Sequence, residues 1–151
     1  MMDGIIRSFE AGEDLQEAML VKLSDGKVVK ATAVTDAVIG VTHSAVKAGK
    51  IADVILEGVA YVQVDGATNA GDILVAKEGG KAQAFSLDLF ADLATDTAIH
   101  TVGKVLEADA TGAYLKTVIT NAVMVVPSQK TTTTKTEQTE TEQTEEQQGN
   151  G

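Results

Sequence analysis

Two histidines, His43 and His100, are the only imidazoles this chain offers to a general base or a metal site. His43 is followed by Ser44, but neighbours along a strand point to opposite faces, and no nucleophile elbow surrounds the serine. Cysteine is absent, which removes disulfides, thiolate chemistry and cysteine-ligated metals. Gly79-Gly80 reads as a turn, without the glycine spacing of a phosphate-binding loop. The carboxylates are scattered singly, and no His/Asp/Glu group has metal-ligand spacing. These residues predict no catalytic centre, no metal and no cofactor. One remote alternative is a biotin- or lipoyl-carrier domain, which Glu17-Ala18-Met19-Leu20 and Ala70–Leu74 resemble in fragments. Leu20 stands where the biotin type places its modifiable lysine, and Lys27 and Lys81 lack the acidic or methionine flanks.

The elements that carry these residues read as strands. In ADVILEGVAYVQVD (Ala52–Asp65), Val54, Leu56, Gly58, Ala60, Val62 and Val64 alternate with mostly polar positions, the period-two pattern of a half-buried strand. The stretch exceeds the usual strand of about five or six residues, and Gly58 is its natural bend, since only glycine takes positive φ freely. Met19–Leu23 and Lys27–Ala31 flank Ser24-Asp25-Gly26, a hairpin signal. Ile73–Ala76 and Lys81–Ala84 flank a second turn at Lys77–Gly80.

Two internal pairings follow. AMLVKLSDGKV (Ala18–Val28) matches DILVAKEGGKA (Asp72–Ala82) at an offset of 54, pairing Leu20 with Leu74 and Val21 with Val75. Val38–Val64 matches Thr101–Pro127 at an offset of 63, pairing Gly40 with Gly103 and Gly58 with Asn121. Asparagine tolerates left-handed backbone best after glycine, so Gly58 and Asn121 are expected at matched bends. The reading is an all-β fold, a small barrel or tulip-like domain built from two similar β units. The offsets differ by nine residues, which places an insertion at Phe85–His100. Ser86 is positioned to cap a short helix over 87–93. Phe85, Leu87, Phe90 and Leu93 there form either a plug over the barrel end or an apolar patch for another subunit.

Three segments result: an N-terminal arm at 1–17, the β domain at 18–127 and a Thr/Glu/Gln-rich tail at 128–151. Ile5, Ile6 and Phe9 are the large apolar groups of the first segment, which reads equally as an edge strand or as an arm that docks on a neighbour. The tail has no aliphatic or aromatic side chain, so it cannot offset its own ordering entropy. A partner's sheet edge would hold its threonines, Thr131 and Thr133 among them, as an extended strand. A net charge of −10 without basic clusters excludes direct nucleic-acid binding. No run approaches the roughly 20 apolar residues of a membrane span, and the start lacks the apolar run of a signal peptide, so a soluble protein made without export is expected. Aromatic residues are only 3%, and pockets and binding hot spots usually draw on them, which favours a structural role.

From about Leu15 to Ile119 the order of elements resembles tailed-phage capsid-cement, or head-decoration, proteins. The resemblance is carried by VIGV (Val38–Val41), AVKAGKIADVILEGVAYVQVDGA (Ala45–Ala67), AGDILVA (Ala70–Ala76) and VGKVLEADATGAYLKTVI (Val102–Ile119). It implies no catalytic residues. It implies a homotrimer on the outer capsid surface of the virion, at local threefold positions, made in the host cytoplasm. The implied partners are the major capsid protein and further copies of the chain, with terminal arms reaching across neighbouring subunits. Another non-catalytic β binding or scaffold module is the alternative.

Overall fold

The computed structural model describes residues 4–129. Their strands are β1 (Gly4–Glu10), β2 (Leu20–Ser24), β3 (Lys27–Lys30), β4 (Val38–Thr42), β5 (Ile51–Gln63), β6 (Ile73–Lys77), β7 (Lys81–Ala84), β8 (Thr97–Val105) and β9 (Tyr114–Val126). Among the described residues helical structure is limited to two 3-10 turns, Glu78–Gly80 and Leu87–Phe90, so the expected all-β class holds. The sheet runs β3-β2-β4-β5-β9-β8-β6-β7, with β1 added against β5. The described residues form two compact units, 4–85 with 98–124, and 86–97 with 125–129.

The larger unit is one β motif built twice. In the first copy β1 pairs with the start of β5, β5 with β4, β4 with β2 and β2 with β3. In the second, the end of β5 pairs with β9, while β8 pairs with β6 and β6 with β7. The registers coincide under the sequence offsets. Ile6 opposite Ile55 becomes Val59 opposite Val118, and Phe9 opposite Ala52 becomes Val62 opposite Leu115. The closing contacts recur too: Ala11 bridges Val28 as Val64 bridges Ala82, and Leu15 bridges Val46 as Thr68 bridges Asp109. Each copy therefore curls until the segment after its first strand meets its last strand.

This register corrects two expected pairings. Val21 lies opposite Gly40 and Leu74 opposite Gly103, as Leu20 lies opposite Val41 and Ile73 opposite Lys104, so Val21 corresponds to Leu74, not Val75, and Leu20 to Ile73, not Leu74. The offset is 53 before the hairpin turn and 54 after it, because Asp25-Gly26 is answered by Glu78-Gly79-Gly80. In the first hairpin both turn residues have positive φ, 51° at Asp25 and 77° at Gly26, the combination a two-residue turn needs to follow strand twist. The segment read as an arm also finds its place: Gly4–Glu10 is the opening strand of the first copy, equivalent to the second half of β5.

Burial follows the same duplication. Ala11, Leu15, Val21, Val28, Ala52 and Val54 form one core, with Phe9, Ile39, Val46 and Leu56 packed on it. Their counterparts Val62, Val64, Leu74, Ala82, Val102, Leu115 and Ile119 belong to the other. Leu20, Val38, Val41 and Ile55 of the first copy join that second cluster with Ala60, Ala76 and Val105, sealing the seam between the copies. The even face of β5 thus covers two cores, one before Gly58 and one after it. Gly58 has φ 122° and its counterpart Asn121 has φ 43°. Gly40 and Gly103 answer another demand. A Cβ on Gly40 would collide with the Ile55 carbonyl oxygen, and one on Gly103 with that of Val118, the corresponding residue.

In the smaller unit, the Ser86 hydroxyl accepts a hydrogen bond from the Asp88 N–H at 3.2 Å, capping the turn at Leu87–Phe90. The expected helix over 87–93 stops after this one 3-10 turn. Its last turn holds no basic residue, and one turn recovers little of the cost of helix nucleation. The Ser128 N–H donates to the Asp96 carboxylate at 2.8 Å, and the Gln129 N–H to the Leu93 carbonyl at 3.2 Å. The first two residues of the tail are thereby tied down.

Candidate interaction surface

Each residue singled out in the sequence has a definite place, except Thr131 and Thr133, which lie outside the described residues. Ile5 and Ile6 on β1 are 49% and 42% exposed, while Phe9 turns onto the first core. Within 86–97, Leu87 is 54% exposed, Leu93 half-buried and Phe90 buried. Phe85 is half-buried. Of the apolar groups singled out in the sequence, Ile5 and Ile6, and separately Leu87 with Leu89, are the exposed ones, and the phenylalanines are not.

Asn121 works across the seam. Its side-chain amide donates to the Ile39 carbonyl at 2.8 Å and to the Leu56 carbonyl at 2.5 Å, joining β9 to β4 and β5. The 63-residue offset carries the Gly58–Ile119 pair onto Leu56 and Asn121, the two residues this amide connects. Its Oδ1 is buried without a hydrogen bond, so the site keeps one polar atom unsatisfied to hold the bend.

An open cleft of about 710 Å³ lies at the junction of the two copies. Ile6, Ala18, Thr42 and Ile55 of the first copy line it, together with Tyr61 and Tyr114 of the second. Glu17 and His43 also face it. Thr42 is fully engaged in structure: its hydroxyl donates to the Gln16 carbonyl at 2.6 Å and accepts from the Met19 N–H at 3.0 Å. Neither tyrosine stood out in the sequence. They lie on different strands, and low aromatic content argued against a site. Placing β5 beside β9 at the 63-residue offset is the signal that brings them together.

Four carboxyls are held below the ordinary aspartate range. Asp109 accepts hydrogen bonds from the Thr111 and Gly112 amides, at 2.8 and 2.7 Å. At Asp36 burial pushes the other way, but the Thr32 and Ala33 amides and Lys22 outweigh it. Asp14 is lowered by the Ala48 amide and then Lys47, and Asp65 by Lys77 at 2.7 Å. All four hold turns or neighbouring lysines. Among the described residues no group of three or more His, Asp or Glu is placed to hold a metal. Lys27, directly after the first turn, pairs with Glu10 at 2.9 Å, rather than crowning the hairpin as a carrier lysine would.

No protein-family profile and no curated protein sequence matches the chain. In three dimensions it is similar to the head fiber gp8.5 N base of bacteriophage phi29, with a TM-score of 0.53 and 19% sequence identity. The match covers 80% of this chain and 95% of that one. At this identity the likeness establishes a shared fold.

Proposed function

We propose that this protein is a non-catalytic structural component of a tailed-phage head, seated on the outer surface of the capsid as a decoration protein. The observation that carries the reading is the fold shared with the base of a phage head fiber, over nearly the whole of that chain. The order of sequence elements that resembles head-decoration proteins supports it independently. So does the engagement of Asp14, Asp36, Asp65 and Asp109 as turn caps and lysine partners.

In this reading the chain assembles as a homotrimer on local threefold positions and binds the major capsid protein. One subunit with a modest interface binds weakly, because association entropy consumes much of the contact energy. Three linked contacts raise avidity by about 10²–10⁴ without new chemistry. Ile5 on β1, and Leu87 with Leu89, are among the exposed apolar groups open to such contacts. A shell that binds the protein only in its mature lattice is stabilised by mass action. The test is co-sedimentation of purified protein with heads that lack it. Saturable binding at a fixed ratio to the major capsid protein supports the proposal, and protein left wholly in the supernatant refutes it.

A further inference from the structure

We propose that the cleft at the junction of the two β copies is a binding site for a neutral saccharide, a role separate from head assembly. The chain has five aromatic side chains, three Phe and two Tyr. Phe90 is buried, and Phe9 and Phe85 are half-buried. The two that stand more than a third exposed are Tyr61 at 54% and Tyr114 at 50%, and both line this cleft. Tyr61 pairs with Lys116 and Tyr114 with Gln63, so the tyrosines are diagonal neighbours on one sheet face, within reach of one ring-sized ligand. Exposed aromatic faces with hydroxyl tips suit a ligand that is apolar on one side and wet at its edge.

The rest of the lining fits the same chemistry. Ile55 and Ala18 give an apolar floor, 3% and 5% exposed. Glu17 and His43 stand at the polar edge, and among the described residues neither side chain has a hydrogen bond or ion pair. They are free to meet hydroxyl groups. The volume, about 710 Å³, lies within the range of about 300–1,000 Å³ typical of ligand pockets. A carboxylate in the lining and a net charge of −10 repel anions. An anion is thus disfavoured, and the apolar floor beneath two exposed tyrosines fits a ring compound with an apolar face and a hydroxylated rim.

The duplication shows that the fold does not require these groups. The counterparts of Glu17, His43 and Tyr61 in the second copy are Ala70, Leu106 and Met124. The counterpart of Ala18 is Gly71, and both occupy left-handed backbone, φ 60° and 94°. The Ala18 N–H donates to the Thr42 carbonyl as the Gly71 N–H does to Val105. Only the cleft copy keeps a methyl where glycine is the relaxed choice, and strain of this kind collects at ligand sites.

The experiment is an NMR titration of the full chain with maltotriose, cellotriose and triacetylchitotriose, following the ring signals of Tyr61, Tyr114, His43 and His100. At least one trisaccharide is expected to shift the first three saturably and leave His100 unmoved. Tyr61→Ala and Tyr114→Ala should each weaken binding by about tenfold or more, and Tyr61→Phe should retain it. Unchanged thermal unfolding of the alanine variants separates loss of the site from loss of the fold. No saturable shift with any of the three sugars overturns the proposal. So does equal binding by the Tyr61→Ala/Tyr114→Ala double variant, or an equal response to tetramethylammonium, which would mark a cation site.

Discussion

Replacing Asn121 separates the two demands its position makes. The amide supplies two hydrogen bonds across the seam, at 2.8 and 2.5 Å, and the backbone sits at φ 43°. Asn121→Gly keeps the backbone relaxed and removes both bonds. At about 0.5–1.5 kcal/mol for each bond the loss is about 1–3 kcal/mol. Asn121→Ala removes the same bonds but, unlike glycine, keeps a Cβ in left-handed backbone without the local hydrogen bonding that lets asparagine tolerate it, about 1–2 kcal/mol, partly offset because alanine is less free than glycine in the unfolded chain. Alanine should therefore cost about 1 kcal/mol more than glycine. Asn121→Asp aims a carboxylate at two carbonyl oxygens, which raises its folded pKa above the unfolded value near 3.9. The stability it contributes is then present below the unfolded value and lost as pH rises through the folded one. Urea unfolding with a common m-value measures all three. An alanine variant within 0.5 kcal/mol of the parent, or a glycine variant as costly as alanine, would refute this account of the seam.

Other substitutions probe the duplicated framework. Gly40→Ala and Gly103→Ala should each destabilise by about 1–3 kcal/mol or more, since both press a methyl against a backbone carbonyl; chemical denaturation of either, with no loss, would break the claimed equivalence. Ala18→Gly should raise stability by about 0.5–1 kcal/mol as relief of left-handed strain outweighs the added unfolded-state freedom, read from thermal unfolding. Acid should destabilise the fold through Asp14, Asp36, Asp65 and Asp109, whose folded pKa values are depressed. Their contribution is present above about pH 4 and lost as pH falls through the lowered values. Asp109→Asn should flatten part of that loss in a pH series.

The β class, both hairpins and the two long strands were legible because alternation and turn chemistry are local signals. Gly40 and Gly103 could be matched because each meets a steric limit set by a backbone carbonyl, so glycine stands in both copies. The first strand could not. GIIRSFE and the second half of β5 share a ladder position but almost no residues. The cores hid the duplication in the same way: Ala52 answers Leu115, Leu15 answers Thr68 and Val54 answers Thr117. Burial is kept at each place while volume is traded between neighbours, so residue identity carries little of the signal. The extra glycine in the second turn displaced the expected pairings of Leu20 and Val21 by one residue. The cleft was invisible because its two tyrosines become neighbours only when β5 and β9 pair.

Quantitative mass spectrometry of purified phage particles tests the central claim most directly. A decoration protein of the outer head should be present in a fixed, high ratio to the major capsid protein, and should be lost in parallel when heads are stripped. Absence from the particles, or a few copies that stay with isolated tails, would contradict it.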